Sequence, residues 1–77
     1  MKNPVKAILN NLGWKTGEAA RNFRLGDGNL KEILNGIPAE LPDMFKVRLI
    51  YYLGMSPQEV EELNTAYIHW RNGGDAA

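Results

Sequence analysis

The stretch of the chain with the most features of a ligand site is LGDGNLKEILNGI, residues 25–37, where three glycines and an acid surround a short helical pattern. A phosphate-cradling glycine loop needs a third glycine at a fixed spacing and a preceding strand, and the sequence has neither. A calcium loop needs a late acid that binds the ion with both oxygens, but Lys31 follows Asp27 and Asn29 and no acid takes that place. We therefore interpret the stretch as a turn that leads into a helix.

Side chains that carry catalysis or bind metals are scarce. The chain has no cysteine, and His69 and Ser56 are its only histidine and its only serine. Ser56 is explained as a helix cap, and one imidazole beside Trp70 is more typical of a surface residue than of a metal ligand. We expect no enzyme activity, no metal and no cofactor.

The charges are balanced overall but unevenly distributed along the 77 residues. The formal net charge is zero, which argues against nucleic-acid binding because phosphate neutralisation supplies most non-specific affinity. However, residues 1–36 carry six cations against three acids, whereas residues 37–77 carry three against six. No apolar run approaches the roughly 18 residues of a membrane span, and no signal peptide is evident. We expect a cytoplasmic protein whose N-terminal half is basic.

Apolar spacing predicts an all-α domain of five helices over residues 1–72, followed by a flexible tail at 73–77. The helices are expected at about 4–12, 17–23, 27–35, 43–53 and 57–70. Asn3, Thr16 and Ser56 are the predicted N-terminal caps, the last of them in a capping box with Glu59. The fourth segment is apolar over most of its circumference, so we predict that it is the most buried helix. The fifth places Asn64 on its polar face.

The second and third helices carry a resemblance to a known family. From LGWKTGEAARNFRLGDGNLKEILNG into IPAEL and LGMSPQEV, the sequence resembles the lambda repressor-like, Cro and C1-type family of helix-turn-helix DNA-binding domains. Ala20 falls at the small buried position of the first motif helix, Leu25 in the turn, and Leu30 at a buried position of the recognition helix. The motif covers about 16–36. Arg24 stands where the family usually has glycine, so either Arg24 is left-handed or the turn shifts toward Gly26.

The resemblance implies a transcriptional regulator, a small phage- or bacterial-type repressor that binds double-stranded DNA as a homodimer. The helix at 27–35 would lie in the major groove, and the protein would associate with the nucleoid. The DNA-binding residues would be Lys15, Thr16, Asp27, Gly28, Asn29, Lys31, Glu32 and Asn35. The dimer interface would be formed by Leu63, Tyr67 and Trp70 of the last helix.

Simpler interpretations of the same residues remain open. Asp27 is also typical of a helix start, Glu32 of a solvated helix face, and Asn35 with Gly36 of a helix end. Two acids on the recognition helix would repel phosphate, so the alternative function is a protein-interaction module on the same scaffold. The aromatic residues of the last helix could instead cover helix one and Trp14 within the monomer.

Overall fold

A computed structural model describes residues 2–73, and within this range the chain forms five helices and no strand. The helices are α1 (Pro4–Leu12), α2 (Thr16–Asn22), α3 (Asp27–Leu34), α4 (Asp43–Leu53) and α5 (Pro57–Arg71). The predicted five-helix, all-α domain is confirmed, and the predicted helix ends agree to within one residue. The predicted tail lies outside the described residues apart from Gly73. Within residues 2–73, no helix combines the length and apolar character needed to cross a membrane.

The first and last helices begin at the caps that the sequence predicts. The side-chain oxygen of Asn3 accepts hydrogen bonds from the N–H groups of Val5 (3.1 Å) and Lys6 (3.3 Å). Ser56 Oγ accepts from the Glu59 N–H at 3.1 Å, while the Glu59 carboxylate accepts from the Ser56 N–H at 2.9 Å. The bond from the Ser56 backbone favours the charged carboxylate and so lowers the pKa of Glu59 from its ordinary value.

Helix α2 begins differently from the prediction. Its N-cap is Lys15, which has extended backbone angles (φ −78°, ψ 162°) and makes no side-chain capping bond. Thr16 is already the first helical residue, so the prediction that Thr16 caps this helix is wrong. The Trp14 N–H closes α1 by donating to the Leu9 carbonyl at 2.9 Å. Lys15 is the one residue between Trp14 and α2, and it has the extended backbone angles that an N-cap requires.

One hydrophobic core joins the helices, and several of its aromatic side chains meet at Phe23. The Phe23 ring is fully buried and packs edge-on against Trp14 and Phe45, at centroid distances of 5.6 Å each, and against Tyr52 at 6.5 Å. Ala20 is also fully buried, and its small side chain lets α2 and α3 pack closely. The buried apolar residues are Val5, Leu9, Ala19, Ala20, Phe23, Leu30, Ile33, Leu41, Phe45, Leu49, Val60, Leu63 and Tyr67.

Helix α4 is less buried than its apolar composition suggests. Phe45 and Leu49 are buried, but Met44, Val47 and Tyr51 are 56%, 61% and 78% exposed. The prediction that α4 is the most buried helix is therefore wrong. The helix packs one side on the core beside α5, and its opposite side has no neighbour within residues 2–73 to cover these apolar side chains.

Helix α5 holds the loop between α3 and α4 on the core. Asn64, predicted for the polar face, is buried, and its side-chain oxygen accepts a hydrogen bond from the Leu41 N–H at 2.8 Å. The Tyr67 hydroxyl donates to the Pro38 carbonyl at 2.9 Å. A buried N–H without a partner costs about 1–3 kcal/mol, so the loop requires an acceptor inside the domain. The polar-face prediction for Asn64 fails because periodicity does not reveal which loop packs on a helix.

Tyr67 makes the fold less stable at alkaline pH. Burial raises the pKa of its hydroxyl above the ordinary 10.0, with Arg71 opposing the shift. The unfolded chain loses this proton first, so the stabilisation is complete below about pH 10 and is lost as the pH rises further. We expect Tyr67→Phe to lower the free energy of unfolding by about 0.5–1.5 kcal/mol at neutral pH, through loss of the bond to Pro38.

The same variant should also show a smaller decline of stability above about pH 10 than the unmodified chain. Urea denaturation followed by circular dichroism on both sides of this pH measures both effects. Tyr51→Phe is the matched control, because Tyr51 is 78% exposed and should leave the alkaline decline unchanged. Equal pH profiles for the unmodified chain and Tyr67→Phe would contradict this assignment.

Candidate nucleic-acid interface

Helices α2 and α3 form a pair joined by residues 23–26. The Leu25 N–H donates to the Ala20 carbonyl at 2.8 Å, which closes the end of α2. Leu30 and Ile33 are the buried residues of α3, and they pack this helix against the core. The other side of α3 consequently faces solvent.

The turn between the two helices contains a left-handed arginine. Arg24 has φ 56°, whereas Gly26 has φ −70°, so the first of the two turn geometries left open by the sequence is observed. This conformation costs a residue with a Cβ atom about 1–2 kcal/mol. Arg48 of α4 supports the turn, because its Nη1 donates to the carbonyls of Phe23 (3.2 Å) and Arg24 (2.6 Å). No sequence motif marks Arg48, since its role depends on where α4 packs.

The C-terminal end of α3 is also held in place. Asn3 Nδ2 donates to the Leu34 carbonyl, and Arg71 Nε donates to the Gly36 carbonyl, both at 2.8 Å. Gly36 has φ 72°, and a Cβ atom there would lie 3.2 Å from the Trp70 ring. Both the backbone angle and the close approach of Trp70 therefore favour glycine at this position. With the turn at one end and these bonds at the other, α3 has a defined position on the domain.

The solvent side of α3 presents most of the predicted DNA-binding residues together. Asp27, Gly28, Asn29, Lys31, Glu32 and Asn35 are all exposed. Lys15 is exposed before the first turn of α2, whereas Thr16 is half-buried. Asn35 is the C-cap of α3, as its simpler interpretation predicts, and its side chain still faces solvent. We call the six exposed residues the polar row of α3.

Helix α1 adds cations beside this row. Lys6 lines one surface depression together with Thr16, Lys31 and Asn35. It also lines a neighbouring depression with Lys2. Neither Lys2 nor Lys6 belongs to the predicted site, and the only sequence signal for them is the basic charge of the N-terminal half.

A second group of charges lies where α2 meets the start of α3. One depression is lined by Lys15, Arg21, Glu18 and Asp27, so two cations and two acids share it. We use the term basic face for the five exposed cations that line these three depressions, namely Lys2, Lys6, Lys15, Arg21 and Lys31. Three exposed carboxylates lie among them, those of Glu18, Asp27 and Glu32. The surface keeps an excess of positive charge despite the acids on α3.

The predicted dimer-contact residues of α5 take part in packing within the monomer. Tyr67 is fully buried and Leu63 is 8% exposed, both within the hydrophobic core. Trp70 is half-buried, with its ring against Gly36. The alternative, in which α5 covers α1, agrees with the packing of these two helices. Leu63 and Tyr67 thus present no surface to a second copy, and self-association stays a prediction.

Two further observations bear on the assignment of a function. Within residues 2–73, no three histidine or acidic side chains lie close enough together to hold a metal ion. No protein-family model, curated protein or solved structure matches the chain. The function must therefore be inferred from the polar row, the basic face and the helices that position them.

Proposed function

We propose that the protein is a transcriptional regulator that binds double-stranded DNA in a sequence-specific manner, with α3 in the major groove. The observation that carries the proposal is the polar row of α3, which stands on a helix held at both ends and beside the basic face. The major groove of B-DNA accommodates one α-helix, and cations beside that helix can neutralise phosphates. The resemblance to the lambda repressor-like family supports the same placement.

The two kinds of side chain on this surface suit two kinds of contact. Lys6, Lys15 and Lys31 would bind phosphates and set the position of the domain without reading sequence. Asn29 would pair with the N6 and N7 edge of adenine, and a carboxylate at Asp27 would accept from N4 of cytosine. Occupancy of an operator by such a domain would block or recruit RNA polymerase.

A protein-interaction module is the second candidate function. Asp27 and Glu32 are both exposed on α3, and a carboxylate that faces phosphate weakens DNA binding. An apolar groove also runs beside α3 and is lined by Leu25, Ile33 and Ile37, among others. These features would suit a protein partner better than a phosphate backbone, and the zero net charge agrees with them.

A salt-dependent titration on mixed genomic DNA tests the proposal. If phosphate neutralisation drives binding, affinity should fall steeply as salt rises from about 50 to 200 mM. Asn29→Ala should lower the preference for a selected site over mixed DNA by about 5- to 150-fold, corresponding to one lost base contact. Lys15→Ala should instead weaken binding to every sequence alike, because it removes a phosphate contact.

Two results would overturn parts of this proposal. An absence of binding at about 50 mM salt would reject DNA as the ligand and leave the protein-interaction module as the function. Equal losses on selected and mixed DNA for both variants would reject the placement of α3 in the groove. Thermal melts of both variants show whether each is folded, and both positions are exposed.

A further inference from the structure

Helix α4 carries an apolar surface that no other part of residues 2–73 covers. Met44, Val47 and Tyr51 lie at positions i, i+3 and i+7, and Ile50 continues the same side of the helix with 39% exposure. We call these four residues the α4 stripe. Ile37, which is 59% exposed, lines the apolar groove beside α3 together with Met44. Contiguous exposed apolar residues of this kind mark interaction sites more often than single ones do.

The charges around the stripe limit what can cover it. Both cations of α4 are engaged within the domain: Lys46 lies 3.6 Å from Glu40 and 3.5 Å from Glu61, and its side chain is only 15% exposed. Arg48 donates to the carbonyls of the α2–α3 turn. A nucleic acid or an anionic membrane would therefore find no free α4 cation on the stripe. The exposed Asp43, one turn before Val47, is the acid of α4 on this side, so the complement of the stripe is an apolar surface that places no second acid against Asp43. In an antiparallel pair of α4 helices, the two Asp43 residues lie at opposite ends of the contact.

A second copy of the chain supplies such a surface without net repulsion, because the chain carries zero net charge. The stripe is also self-complementary. In an antiparallel pair related by a two-fold axis near Val47, each Val47 meets its counterpart, and each Met44 meets the other copy's Tyr51. Sulfur and aromatic rings attract each other, so the two flanking contacts are favourable. Met44 and Tyr51 lie on either side of the axis, so each copy presents the same surface to the other, as a two-fold contact requires.

We propose that the protein forms a two-fold dimer through the α4 stripe. The contact is small: a standard interface buries about 800 Å² and about 20 residues on each partner, whereas the stripe and Ile37 comprise five. On an accessible surface of 4880 Å², 800 Å² is about a sixth of the molecule. We therefore expect a weak dimer, with a Kd of roughly 0.1–1 mM. This inference does not depend on DNA binding.

Sedimentation equilibrium without DNA, at protein concentrations from roughly 10 μM to 1 mM, tests the dimer. The dimeric fraction of the unmodified chain should rise across this range, to between about half and four fifths of the chains at 1 mM. Val47→Glu and Val47→Lys should each remain monomeric, because like charges would meet at the axis. An equimolar mixture of the two should dimerise again, since opposite charges then face each other. Gln58→Glu and Gln58→Lys on α5, also at an exposed position, should dimerise like the unmodified chain.

The mixing experiment separates this contact from others. A dimer formed through α5, or through the apolar groove alone, would not respond to charges at Val47. Monomers at 1 mM for the unmodified chain, persistent dimers in either single variant, or a mixture that stays monomeric would each overturn the proposal. Tyr51→Glu provides a second variant with the same expected loss, at the most exposed position of the stripe. None of these results affects the DNA titration, so the two proposals fail independently.

Discussion

Phe23→Ala is expected to lower the free energy of unfolding by about 3–5 kcal/mol, the usual cost of truncating a buried phenylalanine. Phe23 is fully buried and contacts the rings of Trp14, Phe45 and Tyr52. Its removal would leave a cavity among three aromatic side chains at the point where α2 enters the turn. A 77-residue domain has a total stability of about 4–12 kcal/mol, so the variant would lose a large share of it.

Urea denaturation measures this loss as a lower midpoint with an unchanged slope. Tyr52→Ala is the matched control, because Tyr52 contacts the same ring but is 39% exposed and should cost about 1 kcal/mol. If Phe23→Ala does not fold, Phe23→Leu should still fold and lose less than about 1.5 kcal/mol. Equal losses for Phe23→Ala and Tyr52→Ala would show that Phe23 has no special place in the core.

The double variant Lys6→Gln, Lys31→Gln is expected to bind mixed DNA about 60-fold more weakly at about 0.1 M salt, if the proposed function is correct. Each lost phosphate contact lowers the slope of log affinity against log salt by about 0.9, so the slope should fall by about 1.8. Lys6 belongs to α1 and Lys31 to α3. The fold brings these two lysines together in the lining of one surface depression.

A control must remove the same net charge elsewhere. Gln58→Glu, Thr65→Glu changes the net charge by the same two units at exposed positions of α5, whose residues line none of the three depressions beside α1, α2 and α3. This control should lose much less affinity, because screening limits the reach of charges to about 10 Å at 0.1 M salt. Similar losses in both variants would mean that net charge, and not the basic face, governs binding.

The helix ends show which parts of the fold the sequence could predict. Asn3 and Ser56 cap their helices as predicted because each bonds to N–H groups two or three residues away. Thr16 fails as a cap because the preceding helix closes onto Trp14 and leaves the extended position to Lys15. Local patterns predict an element well when its interactions are also local.

The candidate site likewise contains residues that the sequence could predict and residues that it could not. The exposure of Asp27, Asn29 and Glu32 follows from their spacing on α3 relative to Leu30. The contribution of Lys6 could not be predicted, because it requires the N-terminus of α1 to lie beside α3, as the bond from Asn3 to Leu34 shows. The same holds for Arg48, which reaches the turn across 24 residues of chain.

The sequence by itself determined the five helices, their approximate ends and the side of α3 that faces solvent, because caps and apolar spacing act over one or two helical turns. The tertiary structure decided which apolar faces find a neighbour. It buried Asn64 and Tyr67 under the loop and left the α4 stripe exposed, although α4 is the more apolar helix. The physical reason is that burial depends on contacts between residues distant in the chain, which no local periodicity encodes.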